Sequence, residues 1–289
     1  MKLLLAFLVC MGTAHAEIQV RDDYGNEVRL AVPAQRIVSL SPHLTELLFA
    51  AGAGERIVGA LEYSDYPTQA RRIPRVGSEA GIDLEGVLAL RPDLIVAWPN
   101  AGSVRAIDRL SELRLPVFRS EPRELEDIPR TLLRLGTLAG TQREAKREAD
   151  AFRSRAAALQ TRHSKRPTVR VFYQVWDRPL VTVNGQHVIS KVMRLCGGEN
   201  VFAGLPVLAP EIDREAVLRA NPQVIIASGS EGGERPAWLD DWKAFPGLEA
   251  ARREHLYAIA PELIQRHTPR LLDGAERLCG ILEEVRARS

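Results

Sequence analysis

The sequence lacks the short motifs that most often reveal an enzyme. It contains no Gly-x-Gly-x-x-Gly, no Walker loop and no Gly-x-Ser-x-Gly, so the usual signatures of nucleotide binding and elbow-type serine hydrolysis are missing. Its histidines form no i,i+4 pair and no cluster with cysteine, which argues against a dedicated zinc site. We therefore predict no catalytic residue, no resident cofactor and no metal site.

Long apolar runs are scarce, and neither sign of charge dominates. Lys and Arg number 39 against 37 Asp and Glu, without a dense basic block, so no nucleic-acid partner is expected.

The apolar run at residues 3–11 is shorter than the roughly 20 residues of a membrane anchor. It follows Lys2 and precedes Ala14-His15-Ala16, which is typical of an export signal cleaved after Ala16. Cys10 lacks the preceding small residue of a lipidation site, so we expect a signal peptide at residues 1–16 and an unanchored mature protein.

Cysteine is rare as well. Without Cys10, the exported chain keeps Cys196 and Cys279. Because an exported protein folds under oxidising conditions, a disulfide is the first expectation and two unpaired buried thiols are the alternative. Closing so long a loop would contribute about 4 kcal/mol in the chain-entropy model.

An internal repeat is the most informative feature that the sequence does contain. Residues 83–98 align without a gap with residues 213–228, and Asp, Glu, Val, Leu, Pro, Ile and Ala recur in register. Each copy is typical of a short capped helix, a proline-marked turn and a buried strand. Two copies at this spacing indicate two similar α/β lobes with a ligand between them.

The segments around the repeats alternate between strands and helices, which predicts parallel sheets. The expected parts are a first lobe at residues 17–140, a connecting helix at 141–166 and a second lobe at 167–289. Thr141 and Glu144 have the spacing of a capping box, and the predicted helix from 141 to about 164 would be roughly 36 Å long. An ordinary surface helix within one lobe is the alternative.

Aromatic side chains, only 6% of the chain, cluster where the predicted strands end. In open α/β sheets these ends line the ligand crevice, and large apolar ligands need aromatic walls. Local packing of each aromatic is the alternative interpretation. The candidates for ligand contact are Tyr63, Trp98 and Trp176, with Glu262 and Arg266 near the last strand.

Several segments together resemble one family. They are Arg36-Ile37-Val38-Ser39-Leu40-Ser41-Pro42 with Thr45-Glu46, Glu62-Tyr63-Ser64-Asp65-Tyr66-Pro67, Asp83-Leu84-Glu85, residues 90–98, Cys196-Gly197-Gly198-Glu199-Asn200 and Thr268-Pro269-Arg270. Over residues 36 to 281 the chain is similar to the cobalamin-binding periplasmic proteins of ABC importers, within a wider family that also binds haem and ferric siderophores.

The resemblance implies two Rossmann-like lobes with parallel sheets joined by one long α-helix, the class III arrangement of periplasmic binding proteins. It implies a monomeric, non-enzymatic receptor in the periplasm that carries a cobalamin-like corrinoid to a permease dimer in the inner membrane. Tyr63, Trp98, Trp176 and Glu262 would then lie near the corrin. Glu85 and Glu215 would dock against permease arginines, and Cys196 and Cys279 would be bridged.

Three positions depart from the cobalamin-binding pattern. Glu79 and Ala209 stand where tryptophans are common, and Leu263 stands where another aromatic is expected. A related corrinoid such as cobinamide, haem or a siderophore therefore remains an alternative ligand, and Tyr63 or Tyr66 would then be able to ligate iron. A secreted enzyme or metal-site protein on the same scaffold is the alternative from a different class.

Overall fold

The computed structural model describes residues 17–78, 81–100, 102–163, 165–230 and 234–288. The predicted signal peptide at residues 1–16 lies outside these ranges, as does Glu79. The strands are β1 (Ile18–Arg21), β2 (Glu27–Leu30), β3 (Ile37–Leu40), β4 (Ile57–Ala60), β5 (Gly77–Ser78), β6 (Gly81–Ile82), β7 (Leu94–Ala97), β8 (Val117–Arg119), β9 (Val169–Gln174), β10 (Gly198–Asn200), β11 (Val224–Ser228) and β12 (Leu256–Ile259). The helices are α1 (Pro42–Ala50), α2 (Leu84–Ala89), α3 (Val104–Glu112), α4 (Asp127–Ala139), α5 (Gln142–His163), α6 (Val188–Leu195), α7 (Arg214–Ala220), α8 (Glu249–Arg252), α9 (Pro261–Ile264) and α10 (Leu271–Ala287).

Two parallel sheets of four strands form the frame of the molecule. The first has the order β4-β3-β7-β8 and the second the order β10-β9-β11-β12. Strands β3, β7 and β11 are buried along their whole length, as expected where helices cover both faces of a parallel sheet. We call the elements around these sheets the first and second lobes; strands β1 and β2 form an antiparallel hairpin that precedes the first sheet.

The sequence repeat is a structural repeat. Helix α2 leads into β7 as helix α7 leads into β11, and Asp83 and Asp213 cap these helices by accepting bonds from the amides of Gly86 (2.9 Å) and Ala216 (2.6 Å). The residues before the two prolines, at positions 91 and 221, both have positive φ, at 47° and 42°. The predicted helix, turn and buried strand are confirmed in both copies.

Helix α5 lies between the two lobes. It packs against α4 and α1 on one side and α10 and α6 on the other, through the predicted apolar stripe with Ala145, Ala149, Phe152 and Leu159 buried. Arg153 bonds to Glu126, while Arg155 bonds to Asp273 of α10 at 2.7 Å. The predicted capping box is wrong in one respect: the buried Thr141 hydroxyl has no hydrogen-bond partner and so does not cap the helix.

The disulfide between Cys196 and Cys279 is confirmed, with an S–S distance of 2.03 Å. Both cysteines are buried, and the bond joins the end of α6 to α10. In the described residues, no helix combines the length and the apolar character that crossing a membrane requires.

Candidate functional site

Segments at the carboxyl ends of the two parallel sheets meet between the lobes, and we call the region that they line the cleft. In the first lobe, α1 follows β3, residues 61–67 follow β4, and Trp98 follows β7. In the second lobe, Trp176 comes shortly after β9, and α9 with its following turn comes after β12. Contacts between the rings of His43 and His267, 6.2 Å apart, and between Arg266 and Glu46 show that these ends meet.

Aromatic side chains are exposed at the mouth of the cleft. Tyr63 is 65% exposed, Trp176 is 62% exposed and Tyr66 is 45% exposed. The Trp176 indole donates to the carbonyl of Arg178 at 3.2 Å, within its own loop. Such large apolar groups left open to solvent at the carboxyl ends of sheets are typical of a ligand-binding surface.

Trp98 lies deeper and packs against histidine. Its ring meets the His43 ring edge to face, with centroids 5.5 Å apart, and His43 lies in turn beside His267 of the other lobe. Ser41 fixes the His43 ring through a 2.6 Å bond between its hydroxyl and Nδ1. This group joins the two lobes through ring contacts.

Burial keeps the imidazoles of the cleft neutral. It lowers the pKa of His43 to about 3, and repulsion from His267, when that ring is protonated, and from Arg266 acts in the same direction. Burial also lowers the pKa of His267 to about 4, against an opposing contribution from Asp127. His187, the N-cap of α6, has its pKa lowered to about 4, again mainly by burial.

Four charged residues form an inter-lobe ion cluster: Glu46, Asp65, Arg266 and Arg270. The Glu46 carboxylate is only 2% exposed and accepts bonds from Arg266 Nη1 at 2.8 Å and from Arg270 Nε at 3.0 Å. Asp65 accepts a further bond from Arg266 Nη1 at 3.0 Å. Two acidic groups of the first lobe thus balance two basic groups of the second, so that a buried charge is paired as burial requires.

The four predicted ligand residues all lie at the carboxyl ends of the sheets, but they differ in exposure and in their contacts with the opposite lobe. Tyr63 is tied to the second lobe through its carbonyl, which accepts a 3.2 Å bond from Arg266, and Trp98 reaches the second lobe through the histidines. Glu262 lies in the first turn of α9, partly buried, at the same sheet edge. Trp176 lies at the exposed mouth, on the loop after β9.

Sequence reasoning missed the roles of Glu46 and His43. A lone acidic residue within the apolar run of α1 was the available signal for Glu46, because a buried charge needs a partner. Of the departures, Ala209 is exposed beside the exposed Val207 and Leu208, and Leu263 is partly buried.

The proposed docking residues Glu85 and Glu215 occupy equivalent places. Each lies in the first turn of its helix, α2 or α7, and each is exposed. Within the described ranges, no three His, Cys, Asp or Glu side chains are grouped so that they could hold a metal ion.

Comparisons with known proteins agree with this architecture. The sequence pattern of a family described as periplasmic binding protein matches residues 37–263. A vitamin B12-binding protein of Vibrio parahaemolyticus is 33% identical over 256 residues, covering 89% of this chain and 92% of that protein. One of Vibrio cholerae is 36% identical over 251 residues, covering 87% of this chain and 90% of that protein.

Solved structures show the same fold. The crystal structure of the periplasmic vitamin B12 binding protein BtuF of Vibrio cholerae has a TM-score of 0.80 at 34% identity, covering 88% of this chain and 98% of that chain. The periplasmic heme-binding protein RhuT from Roseiflexus sp. RS-1 has a TM-score of 0.74 at 22% identity, over 87% of this chain and 99% of that chain. At that lower identity the similarity concerns the fold alone.

Proposed function

The chain belongs to the periplasmic binding protein family, and from this premise we propose that it is the substrate-binding component of an ABC importer for cobalamin or a related corrinoid. The observation that carries the proposal is the similarity, at 33% to 36% identity over most of both chains, to proteins named for binding vitamin B12. The exposed aromatic side chains at the carboxyl ends of the two sheets, Tyr63, Tyr66 and Trp176, support it, since a large, flat and partly apolar ligand needs aromatic walls.

In this proposal the corrinoid lies between the first lobe (residues 17–140) and the second lobe (167–289), which residues 141–166 connect. Tyr63 and Trp98 form one wall, Trp176 forms the facing wall, and Glu262 accepts hydrogen bonds from amide groups of the ligand. The exposure of Tyr63 and Trp176, 65% and 62%, supports their role because neither side chain is needed for the core.

The receptor releases its ligand unchanged, so no residue acts as a catalyst and the corrinoid is cargo rather than a cofactor. Glu85 and Glu215 meet cations at the two ends of a permease dimer, a role supported by their equivalent exposed positions on the repeated helices. The protein works as a monomer in the periplasm after cleavage of the signal peptide at Ala16.

A ligand titration tests the proposal. Mature protein, residues 17–289, is titrated with cyanocobalamin, cobinamide and haemin while absorption spectra and tryptophan fluorescence are recorded. We expect saturable binding of a corrinoid at one molecule per chain, with quenching of tryptophan. Saturable haemin binding with a shifted Soret band and no response to either corrinoid would instead identify a haem receptor and refute the proposed ligand class.

A further inference from the structure

The segment after β4, here called the aromatic loop (residues 61–67), carries Tyr63 and Tyr66 in a conformation that needs support. Tyr63 has φ at 61°, in the left-handed region that a bulky residue adopts at a cost, while its side chain points out to solvent. The Ser64 amide donates to the Leu61 carbonyl at 3.3 Å, which closes the turn. Arg75 of the same lobe donates to the carbonyl of Ser64 at 2.9 Å.

The second lobe supplies the remaining support. Arg266 donates to the carbonyl of Tyr63 itself at 3.2 Å and to the carboxylate of Asp65 at 3.0 Å. The Arg270 guanidinium carbon lies 3.8 Å from the centre of the Tyr66 ring, within the range of a cation–π contact. Two arginines from one lobe thus contact the backbone, the carboxylate and an aromatic ring of a loop in the other lobe.

The two arginines are themselves held in place by Glu46. Its buried carboxylate bonds to Arg266 at 2.8 Å and to two nitrogens of Arg270 at 2.8 and 3.0 Å. Paired nitrogens in a planar guanidinium fix orientation as well as distance. Both arginine side chains are only 17% exposed, so the cluster is largely shielded from solvent, unlike the ion pairs on the protein surface.

We propose that Arg266 and Arg270 are positioning residues that hold the aromatic loop of the opposite lobe in its ligand-binding conformation. The aromatic wall of the first lobe is therefore complete only when the second lobe is in contact with it. A movement that separates the lobes removes these contacts and frees Tyr63 and Tyr66 together. The ligand part of this inference rests on the proposed function, whereas the loop part does not.

Hydrogen exchange of the ligand-free protein tests the loop part. Arg266→Gln leaves Glu46 paired with Arg270, and we expect the Ser64 amide to exchange about tenfold faster, because the charged donor to the neighbouring carbonyl is lost. Lys191→Gln is the matched control, because it also removes one cation of the second lobe from an ion pair with the first lobe, the pair with Glu124. Among the described residues, Lys191 makes no hydrogen bond or ion pair with residues 61–67. Its Ser64 exchange should equal that of wild type.

Two outcomes would overturn the proposal. The first is an unchanged exchange rate of the Ser64 amide in a folded Arg266→Gln protein. The second is an equal increase of that rate in Lys191→Gln, because the loss of any ion pair between the lobes would then have the same effect as the loss of Arg266. Thermal unfolding confirms that each variant folds. If Arg266→Gln does not fold, Arg266→Lys replaces it, because lysine keeps the charge but not the planar guanidinium that reaches Glu46 and the Tyr63 carbonyl together.

A double-mutant cycle tests the ligand part with cyanocobalamin. Arg266→Gln alone should weaken binding about tenfold, but in a Tyr63→Ala background the same change should cost less than about twofold, since the side chain that it positions is gone. Losses that multiply would refute positioning through Tyr63. If wild type binds neither corrinoid, the proposed function fails while the exchange experiment still decides the loop part.

Discussion

Arg270 binds the carboxylate of Glu46 with two nitrogens, Nε 3.0 Å from Oε2 and Nη2 2.8 Å from Oε1, although the two residues are 224 positions apart. The pair joins helix α1 of the first lobe to the start of α10 in the second. Removing one charged group from a buried ion cluster leaves the opposite charges buried without a partner. This costs far more free energy than losing an ion pair on the surface. Glu46 is therefore the part of the cleft most sensitive to substitution.

We predict that Glu46→Gln lowers the free energy of unfolding by about 3 kcal/mol or more, because two arginines then stay in the cleft without their shared carboxylate. Urea unfolding of the mature protein measures the change. Glu126→Gln is the control, since Glu126 pairs with Arg153 on the surface with 52% of its side chain exposed and should cost under about 1 kcal/mol. Equal effects of the two substitutions would contradict the importance of burial.

Titration of the mature protein for thiols should find none until it is reduced, because Cys196 and Cys279 are bridged. Replacing both by alanine should lower the free energy of unfolding by about 4 kcal/mol, through the greater freedom of the unfolded chain. Corrinoid affinity of the folded variant should stay close to wild type, since neither cysteine is among the predicted ligand-contact residues and both are buried in their lobe. A free thiol in folded, oxidised protein would show that the bridge is incomplete.

Much of the fold could be predicted because its signals are local. The helix caps of Asp83 and Asp213, the buried strands and the apolar stripe of α5 each depend on neighbours in sequence. Thr141 shows the limit, because its capping spacing is present while its hydroxyl is left without a partner. The contact between Tyr63 and Arg266 could not be predicted, since Arg266 lies 203 residues away and reaches the Tyr63 carbonyl only after both lobes fold.

Trp98→Ala and Trp176→Ala should each weaken corrinoid binding by about 1 to 3 kcal/mol, the usual effect of removing an aromatic anchor from a binding site. Tyr63→Phe should have a smaller effect, because it keeps the ring. Fluorescence titration with cyanocobalamin measures the affinities. Leu113→Ala serves as a control, because Leu113 is 45% exposed but follows α3 at the opposite edge of the first sheet. Full affinity in both tryptophan variants would locate the ligand elsewhere.

Acid should destabilise the protein through its buried histidines. The pKa of His43 is lowered to about 3 in the folded state, from an ordinary value near 6.5. Between these values the unfolded chain binds the proton and the folded chain does not, so stability is full above about pH 6.5 and falls as the pH decreases toward 3. His187 and His267, lowered to about 4, contribute in the same direction.

The measurement is urea unfolding of wild type and His43→Gln at pH 7, 6, 5 and 4. Wild type should lose stability across this range, and the variant should lose less, by up to about 1.4 kcal/mol per pH unit, because one titrating imidazole is gone. The variant will be less stable at pH 7, so the test compares the change in the free energy of unfolding with pH, not its absolute value. Parallel slopes would mean that His43 takes up its proton equally in both states.

Glu85 and Glu215 are exposed at equivalent positions of the two repeated helices. Each follows an aspartate cap by two positions, and the residues around each alternate identically between exposed and partly buried. First-turn glutamates also favour a helix through its dipole, by only a few tenths of a kcal/mol. Stability measurements alone therefore cannot separate docking from this local role, whereas transport can.

The double substitution Glu85→Ala with Glu215→Ala should leave folding and corrinoid affinity intact while reducing uptake and association with the permease. Association of the wild-type protein should weaken as salt rises, and the variant should show a flatter salt dependence because two charges of the encounter are gone. Glu55→Ala with Glu199→Ala is the matched control, since both glutamates are exposed and the change in net charge is the same. Uptake is measured at a limiting concentration of the binding protein, where the uptake rate depends directly on how often the protein docks to the permease. Equal uptake by the variant and the control would assign Glu85 and Glu215 to their helices and leave docking to other residues.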